Sequence, residues 1–130
     1  MKIKIVSSKE EIETLNPAEE IIHLAFRPSN KDIFNLVLIC SELKAIHIPS
    51  SYKKTLSESI KMFLAMQNIA LLEGDVWGHR KDINEYFEIS REIFDLINEL
   101  KTKGISVDDI VLSITRKTKM SEDLVRFIIR

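Results

Sequence analysis

The segment from Gly74 to Asp82 concentrates side chains that could carry out chemistry. It holds two of the three glycines of the chain, the single tryptophan, a histidine, two cations and two carboxylates. Glycine is used where the backbone adopts a positive φ or approaches another group closely. The segment follows the last of four short β-strand patterns, and ligands of parallel α/β sheets bind beyond the carboxyl ends of the strands. We therefore expect one binding site, formed by this segment and the other strand-end loops, with the candidate residues Arg27, Ser29, Asn30, Ser51, Tyr52, Asp75, Trp77, His79 and Arg80.

These residue types favour recognition of a small anion. Arg27 and Arg80 would clamp a phosphate or a carboxylate through charge-assisted hydrogen bonds. Helix N-termini at Ser29 and Ser51 would add unpaired N–H groups and the positive end of the helix dipole. The two aromatic residues of the set would stack on a planar ring. The structural alternative is that Trp77 anchors the C-terminal part on the sheet, while Arg80 pairs with a neighbouring carboxylate.

A hydrolase-like enzyme built on His79 is a third hypothesis. Asp75 or Asp82 would orient His79 as a general base, and Ser29 or Ser51 would be the nucleophile, although both serines already have a helix-capping role. The sequence contains no G-x-S-x-G, no phosphate-binding loop ending in Lys-Ser or Lys-Thr, and no H-E-x-x-H. We therefore expect no catalytic residue and no cofactor.

A metal site would need three histidines, His23, His47 and His79. The strand pattern described below places His23 and His47 on the same face of the sheet, but two residues apart along it. Histidines in strands are more often packed or hydrogen-bonded than ligating, so we expect no metal.

Composition excludes several classes of protein. The 130 residues contain 19 Lys and Arg against 20 Asp and Glu, and this balance excludes a generally basic nucleic-acid coat. No apolar run approaches the roughly 20 residues of a membrane span, and the N-terminus lacks the apolar segment of a signal peptide. The single cysteine, Cys40, excludes an intrachain disulfide, is expected in the core, and fits a cytoplasmic location.

An apolar-x-apolar pair, followed three residues later by serine or glycine, recurs at steps of roughly 22 residues. Each copy is followed by a helical pattern, so the sequence predicts a short four-stranded parallel sheet of strand–helix repeats with a spacing like that of leucine-rich repeats. We expect this α/β repeat domain to span residues 1–86. The four copies begin at Ile3, Leu24, Ile46 and Ile69.

Residues 87–130 predict a C-terminal extension of three amphipathic helices packed on the first domain. Serines at 90, 106 and 121 stand where the helices begin, and Gly104 follows the end of the first one. From Leu96 to Ile129 the chain resembles the helix-turn-helix of resolvase-like regulators, through Gly104-Ile105-Ser106, Asp109-Ile110 and Ser121.

This resemblance implies DNA binding, which is the alternative function. Residues 101–130 hold seven Lys and Arg against four Asp and Glu. The alternative interpretation of these cations is a solvated turn at a helix C-terminus, and Glu122 and Asp123 at the start of the last helix would repel phosphates. The candidate nucleic-acid-binding residues are Arg116, Lys117, Lys119 and Arg126.

The whole chain resembles an archaeal family of unknown function, domain of unknown function 1699. The resemblance implies an archaeal cytoplasmic protein and brings no activity, substrate or cofactor. It covers most of residues 1–86 and rests on the segments Val6–Glu11, Leu15–Pro17, His23–Asn30, Ser51–Tyr52 and Gly74–Tyr86.

The leading hypothesis is thus a non-enzymatic protein that binds a small anion or a partner at the strand-end edge, with no membrane contact. A DNA-binding regulator is the alternative, in which the sheet domain would be a sensor or a dimerisation unit. Uncovered strand edges also predict a homodimer, because exposed edges tend to be paired or covered.

Overall fold

The computed structural model describes residues 1–76 and 86–130 of the chain. A 3-10 helix spans Lys9–Thr14. The strands and α-helices follow in the order β1 Lys2–Val6, β2 Ile21–Leu24, α1 Asn30–Ile39, β3 Ala45–Ile48, α2 Ser50–Lys53, α3 Glu58–Met66, β4 Ala70–Glu73, β5 Tyr86–Glu88, α4 Arg91–Thr102, α5 Val107–Lys117 and α6 Glu122–Ile129.

The sheet has five strands and is mixed, rather than four-stranded and parallel as the sequence predicts. The strand order is β4-β3-β2-β1-β5; neighbouring strands from β1 to β4 pair in parallel, and β5 pairs antiparallel with β1. The three-residue strand β5 has no alternating apolar pattern of its own. It is held by backbone pairing with β1, which no local sequence signal announces.

The first strand breaks the repeat. The repeat pattern places Ile3 on the same face as Leu24 and Ile46, but Val6 is the residue of β1 that packs with these two beneath α1 and α3. Ile3 instead packs in a second cluster, on the side of the C-terminal helices. A slip of one residue moves every side chain of a strand to the other face. A 3-10 helix also follows this strand where an α-helix was expected, so the leucine-rich-repeat-like organisation is not confirmed.

Helices α1 and α3 cover one face of the sheet. Ser29 caps α1 by accepting a hydrogen bond from the backbone N–H of Asp32, and Ser57 caps α3 in the same way through Ile60. Cys40, at the end of α1, is 1% exposed and belongs to this core, as expected. These helices therefore begin where serine satisfies their first unpaired N–H groups.

Helices α4, α5 and α6 cover the opposite face. Their buried residues share one cluster with residues of the first four strands, so the C-terminal unit and the sheet enclose a common core. Gly104, just beyond α4, has φ +77, a conformation in which glycine avoids the Cβ strain of other residues. No helix in the described part of the chain is both long enough and apolar enough to cross a membrane.

The outer surface of the α1–α3 layer keeps four large apolar side chains exposed, from 47% for Phe34 to 82% for Leu38, with Met62 and Met66 between them. The Phe34 ring also meets the Phe63 ring edge-on, with 4.7 Å between the centroids. The homodimer predicted from uncovered strand edges stays a prediction.

Candidate functional site

Two buried histidines lie side by side in the middle of the sheet. His23 on β2 and His47 on β3 are direct partners in the parallel register, and both are 0% exposed. The offset of two residues predicted from the repeat is therefore wrong. The repeat frame differs between the two strands, so it misplaced the histidines relative to each other.

The two imidazole rings contact each other through their Nδ1 atoms. Their Nδ1 atoms are 2.8 Å apart, and the ring centroids are 4.9 Å apart. Since an imidazole nitrogen donates only when it carries a proton, one Nδ1 must donate and the other accept. The pair therefore holds a single proton between its Nδ1 atoms.

The outer nitrogens of the pair meet polar groups at both ends. His23 Nε2 is 3.4 Å from Oδ1 of Asp75, and His47 Nε2 is 3.2 Å from Oγ of Ser121. If His23 Nε2–H faces the carboxylate, neutral His23 accepts from His47 Nδ1–H, and His47 Nε2 in turn accepts from the Ser121 hydroxyl. One direction of donation thus satisfies the whole chain from Ser121 to Asp75 with both histidines neutral.

Gly74 makes the contact between β4 and α6 sterically feasible. Its φ is +154, and a Cβ at this position would overlap both Cβ and Oγ of Ser121 and come within 2.8 Å of His47 Nε2. Glycine is thus required for the close approach as well as for the backbone angle.

The first turn of α6 is also tied to the end of β4. The backbone N–H of Glu73 donates to Oδ2 of Asp123, with N and O 2.8 Å apart. Because β4 is an edge strand, the Glu73 N–H would otherwise face outward from the sheet. The Asp123 carboxylate accepts a hydrogen bond from it instead. Ser121 and Asp123 therefore seat the N-terminus of α6 on the sheet.

The Ser121 hydroxyl already has two hydrogen-bond partners. Its Oγ accepts the backbone N–H of Leu124 and contacts His47 Nε2, and Ser121 lies close to the backbone of Gly74. Within residues 1–76 and 86–130, no group of three or more His, Cys, Asp or Glu side chains could hold a metal ion. The contact between His47 and Ser121 joins the start of α6 to β3.

Part of the predicted anion site does come together. The Arg27 guanidinium donates to the Ser51 carbonyl oxygen and to the Thr55 hydroxyl, and it lies over the Tyr52 ring at 4.9 Å from the centroid. Arg27, Ser51 and Tyr52 thus form one exposed cluster, in which Arg27 joins the end of β2 to α2.

Ser29 and Asn30 already have structural hydrogen bonds. Ser29 forms a reciprocal capping box with Asp32, and the Ser57 hydroxyl donates to the Asn30 side-chain carbonyl. An open groove of about 530 Å³ beside Arg27 and Ser29 is lined by three cations and three carboxylates. This balance does not favour an anion, and anion binding here stays a prediction.

The rest of that site lies apart from this cluster or outside the described residues. Asp75 contacts His23 and accepts the backbone N–H of Val76 on the C-terminal-helix side of the sheet. The predicted residues Trp77, His79 and Arg80 belong to the segment that the structure does not describe.

Asp75 also lines a cavity of about 210 Å³ between the sheet and the C-terminal helices. Its walls come from β5, the start of α4, the turn between α5 and α6, and the first turn of α6. Sequence reasoning missed this cavity because its walls are distant along the chain. It also missed the His47–Ser121 contact, for which the presence of Gly74 in a chain with only three glycines was the available signal.

The predicted DNA-binding cations fall into two groups. Arg116, Lys117 and Lys119 are exposed at the end of α5 and in the turn before α6, and no described residue forms an ion pair with them. Arg126 on α6 is different, because its guanidinium lies 3.0 Å from Asp108 and 3.1 Å from Glu122. Hydrogen bonds to Asp108, the larger effect, and to Glu122 raise the pKa of Arg126 above its ordinary value.

The three C-terminal helices match a known kind of unit. Residues 92–130 match the family model described as the C-terminal HTH domain of a protein of unknown function, DUF1699. Residues 2–85 match the model of the N-terminal domain of the same family. The chain belongs to the DUF1699 family. Neither a curated protein nor a solved structure shows significant similarity to it. The region that matches the C-terminal HTH domain thus contains α5, α6 and all but the first residue of α4.

Proposed function

We propose that this protein is a DNA-binding regulator that contacts the phosphate backbone through the turn between α5 and α6. The observation that supports this most directly is the group of exposed cations, Arg116, Lys117 and Lys119, at the turn of a helix-turn-helix unit. Because none of the carboxylates in residues 1–76 and 86–130 pairs with these three cations, no ion pair to that part of the chain has to break before they bind phosphates. Arg126 contributes less, since Asp108 and Glu122 already neutralise it locally.

The contacts that hold α6 on the sheet determine which part of the DNA the protein would contact. A recognition helix reads bases with its N-terminal residues in the major groove. In this protein Ser121 and Asp123 at that end contact His47 and Glu73 of the sheet. The proposal is therefore for phosphate contacts, which carry little sequence information, rather than for direct base reading.

The α6 N-terminus would become available for base reading only if the C-terminal helices separated from the sheet, and this separation would cost too much free energy. Separation would expose at least Ile3, Ile21 and Leu72 on the sheet side of the shared core. At about 1.5–3 kcal/mol for each buried aliphatic side chain, these three alone contribute roughly 5–9 kcal/mol. This is comparable to the entire stability of a small domain, about 5–15 kcal/mol. DNA would therefore bind to the docked arrangement.

The test is the salt dependence of binding to a short DNA duplex, measured by fluorescence anisotropy with the full chain. Three phosphate contacts predict a slope of about −2.7 in log K against log salt, since each contact contributes about −0.9. The Arg116→Ala/Lys117→Ala variant should reduce the slope to about −1.

The matched control is Lys53→Ala/Lys54→Ala, which removes the cations at the last residue of α2 and at its C-cap. It should leave the slope unchanged if the turn is the contact. Absence of binding at low salt, or equal loss in both double variants, would contradict the proposal.

A further inference from the structure

The cavity between the sheet and the helix-turn-helix unit has the size of a small ligand. Its volume is about 210 Å³. For comparison, an apolar cavity of about 150 Å³ in a protein interior is large enough to hold benzene. The cavity thus has room for one aliphatic or aromatic side chain with a short polar end.

The walls are mainly apolar. Phe87 and Ile89 line the cavity from the β5 region, Ile93 from α4, and Met120 and Leu124 from the turn before α6 and from α6 itself. Ligand sites are typically apolar concavities with a few polar groups that fix orientation. This wall would hold the hydrocarbon part of a ligand.

Charges of both signs accompany this apolar wall. Asp75 and Lys119, one residue of each charge, also line the cavity. A purely anionic ligand would meet the Asp75 carboxylate, and a purely cationic ligand would meet the lysine. A ligand with an ammonium and a carboxylate on the same carbon satisfies both kinds of wall group.

We propose that this cavity is a binding site for an apolar α-amino acid of about leucine size. The side chain lies against Phe87, Ile93 and Leu124, the ammonium group faces Asp75, and the carboxylate faces Lys119. The juxtaposition of one apolar cavity, one carboxylate and one lysine carries this assignment.

The site also gives the proposed function a means of regulation, and in this respect it rests on that function. Lys119 lines the cavity and is one of the three cations proposed to contact DNA. A bound carboxylate would neutralise it and compete with phosphate. The amino acid should therefore weaken DNA binding.

Binding is tested first without DNA, by titrating the full chain with L-leucine and following its amide and methyl NMR signals. We expect saturable shifts centred on Ile93, Met120 and Leu124. Two probes each lack one charge: isoamylamine has no carboxylate, and 4-methylpentanoate has no amine. Each should bind about tenfold more weakly than leucine or worse, since each loses a charge-assisted contact.

Two variants locate the site. Lys119→Gln should weaken leucine binding about tenfold while leaving isoamylamine unchanged, and the matched control Lys117→Gln, outside the cavity wall, should change neither. Ile93→Phe should fill the cavity and abolish binding of all three probes; its amide spectrum verifies folding. No leucine shifts, shifts elsewhere in the molecule, or equal affinity for all three probes would overturn the assignment.

The DNA titration is then repeated with saturating leucine. Leucine should reduce the DNA affinity of the wild type severalfold and leave that of Ile93→Phe unchanged. If leucine binds and DNA does not, the cavity assignment stands and the proposed function fails. If DNA binds and leucine does not, the proposed function stands and the cavity assignment fails. If both bind independently, the regulatory link is wrong.

Discussion

The Nε2 of His47 and the hydroxyl oxygen of Ser121, 74 positions apart in the chain, lie 3.2 Å from each other. One belongs to a buried strand, and the other caps the last helix. Since Ser121 also accepts the N–H of Leu124, a single hydroxyl both begins α6 and fixes it on the sheet. The position of the helix-turn-helix unit therefore depends on a contact that two distant segments make together.

Replacement of Gly74 tests how tightly this contact is packed. Gly74→Ala introduces a Cβ that overlaps Ser121 and crowds His47, at a positive φ. We expect a loss of about 3 kcal/mol or more in the free energy of unfolding, from overpacking and backbone strain together. Gly104→Ala is the control, because its φ is also positive but nothing lies within 4 Å of the added atom. It should cost about 1 kcal/mol, measured by urea denaturation. Equal losses would show that the close approach is not tight.

Removal of the Ser121 hydroxyl separates capping from docking. Ser121→Ala loses an N-cap, worth about 1 kcal/mol, and also the hydrogen bond to His47 Nε2, worth about 0.5–1.5 kcal/mol more. Ser106→Ala removes the equivalent cap of α5, where the hydroxyl accepts the N–H of Asp109 in an exposed position. Chemical denaturation should give a clearly larger loss for Ser121→Ala. If the two variants lose the same free energy, the contact with His47 contributes nothing.

The facing Nδ1 atoms predict a pH dependence of stability. Among the described residues, the groups at the outer ends of the pair are the Asp75 carboxylate and the Ser121 hydroxyl. The folded pair cannot take up two extra protons, because two N–H groups would then face each other across the 2.8 Å between the Nδ1 atoms.

In the unfolded chain both histidines protonate near pH 6.5. Well below this pH the unfolded state binds at least one more proton than the folded state, so the stability falls as the pH falls. The expected slope there is about 1.4 kcal/mol per pH unit or steeper. Denaturation between pH 8 and pH 5, in a His79→Gln background that removes the third histidine, measures it. A stability that stays constant over this range would contradict a shared single proton.

Cys40 predicts a change at the alkaline end. Burial first, and the nearby charge of Glu19 second, raise the pKa of its thiol to about 11, from an ordinary value of 9.0. The unfolded chain releases this proton more readily, so the thiol contributes stability below pH 9 that is lost as the pH rises through about 11. Iodoacetamide should leave Cys40 unmodified in the folded protein at pH 8 and modify it in urea. Rapid labelling of the folded protein would show that the thiol is accessible.

Arg27 tests the anion hypothesis derived from the sequence. Its stacking on Tyr52 in an exposed position is worth about 0.5–1 kcal/mol, so Arg27→Ala should reduce the stability by about this amount. Lys31→Ala, which removes another cation from the same groove, should have little effect on stability. A titration with inorganic phosphate, followed by the NMR signals of Ser29 and Asn30, tests the predicted anion site in this groove of three cations and three carboxylates. Saturable shifts that vanish in Arg27→Ala would support the predicted site, and absence of saturable shifts would contradict it.

Local features of the chain were readable from the sequence. The starts of α1, α5 and α6 follow Ser29, Ser106 and Ser121, because a serine hydroxyl satisfies N–H groups only a few residues away. The place of Gly104 follows for the same reason, since a helix ends in a conformation that glycine adopts without strain. Composition and apolar spacing also indicated a mixed α/β chain with a three-helix C-terminal unit.

Tertiary structure alone decided which of these elements meet. The register that places His23 beside His47, the pairing of β5 with β1, and the seating of Ser121 against Gly74 each join segments that are far apart in the chain. The face on which Ile3 lies depends on a shift of one residue, and an apolar pattern buried on both sides of a sheet fits either choice. Local propensity therefore determined the elements and their caps, whereas packing of distant segments into one shared core determined the polar chain and the cavity, because each needs residues that no local interaction brings together.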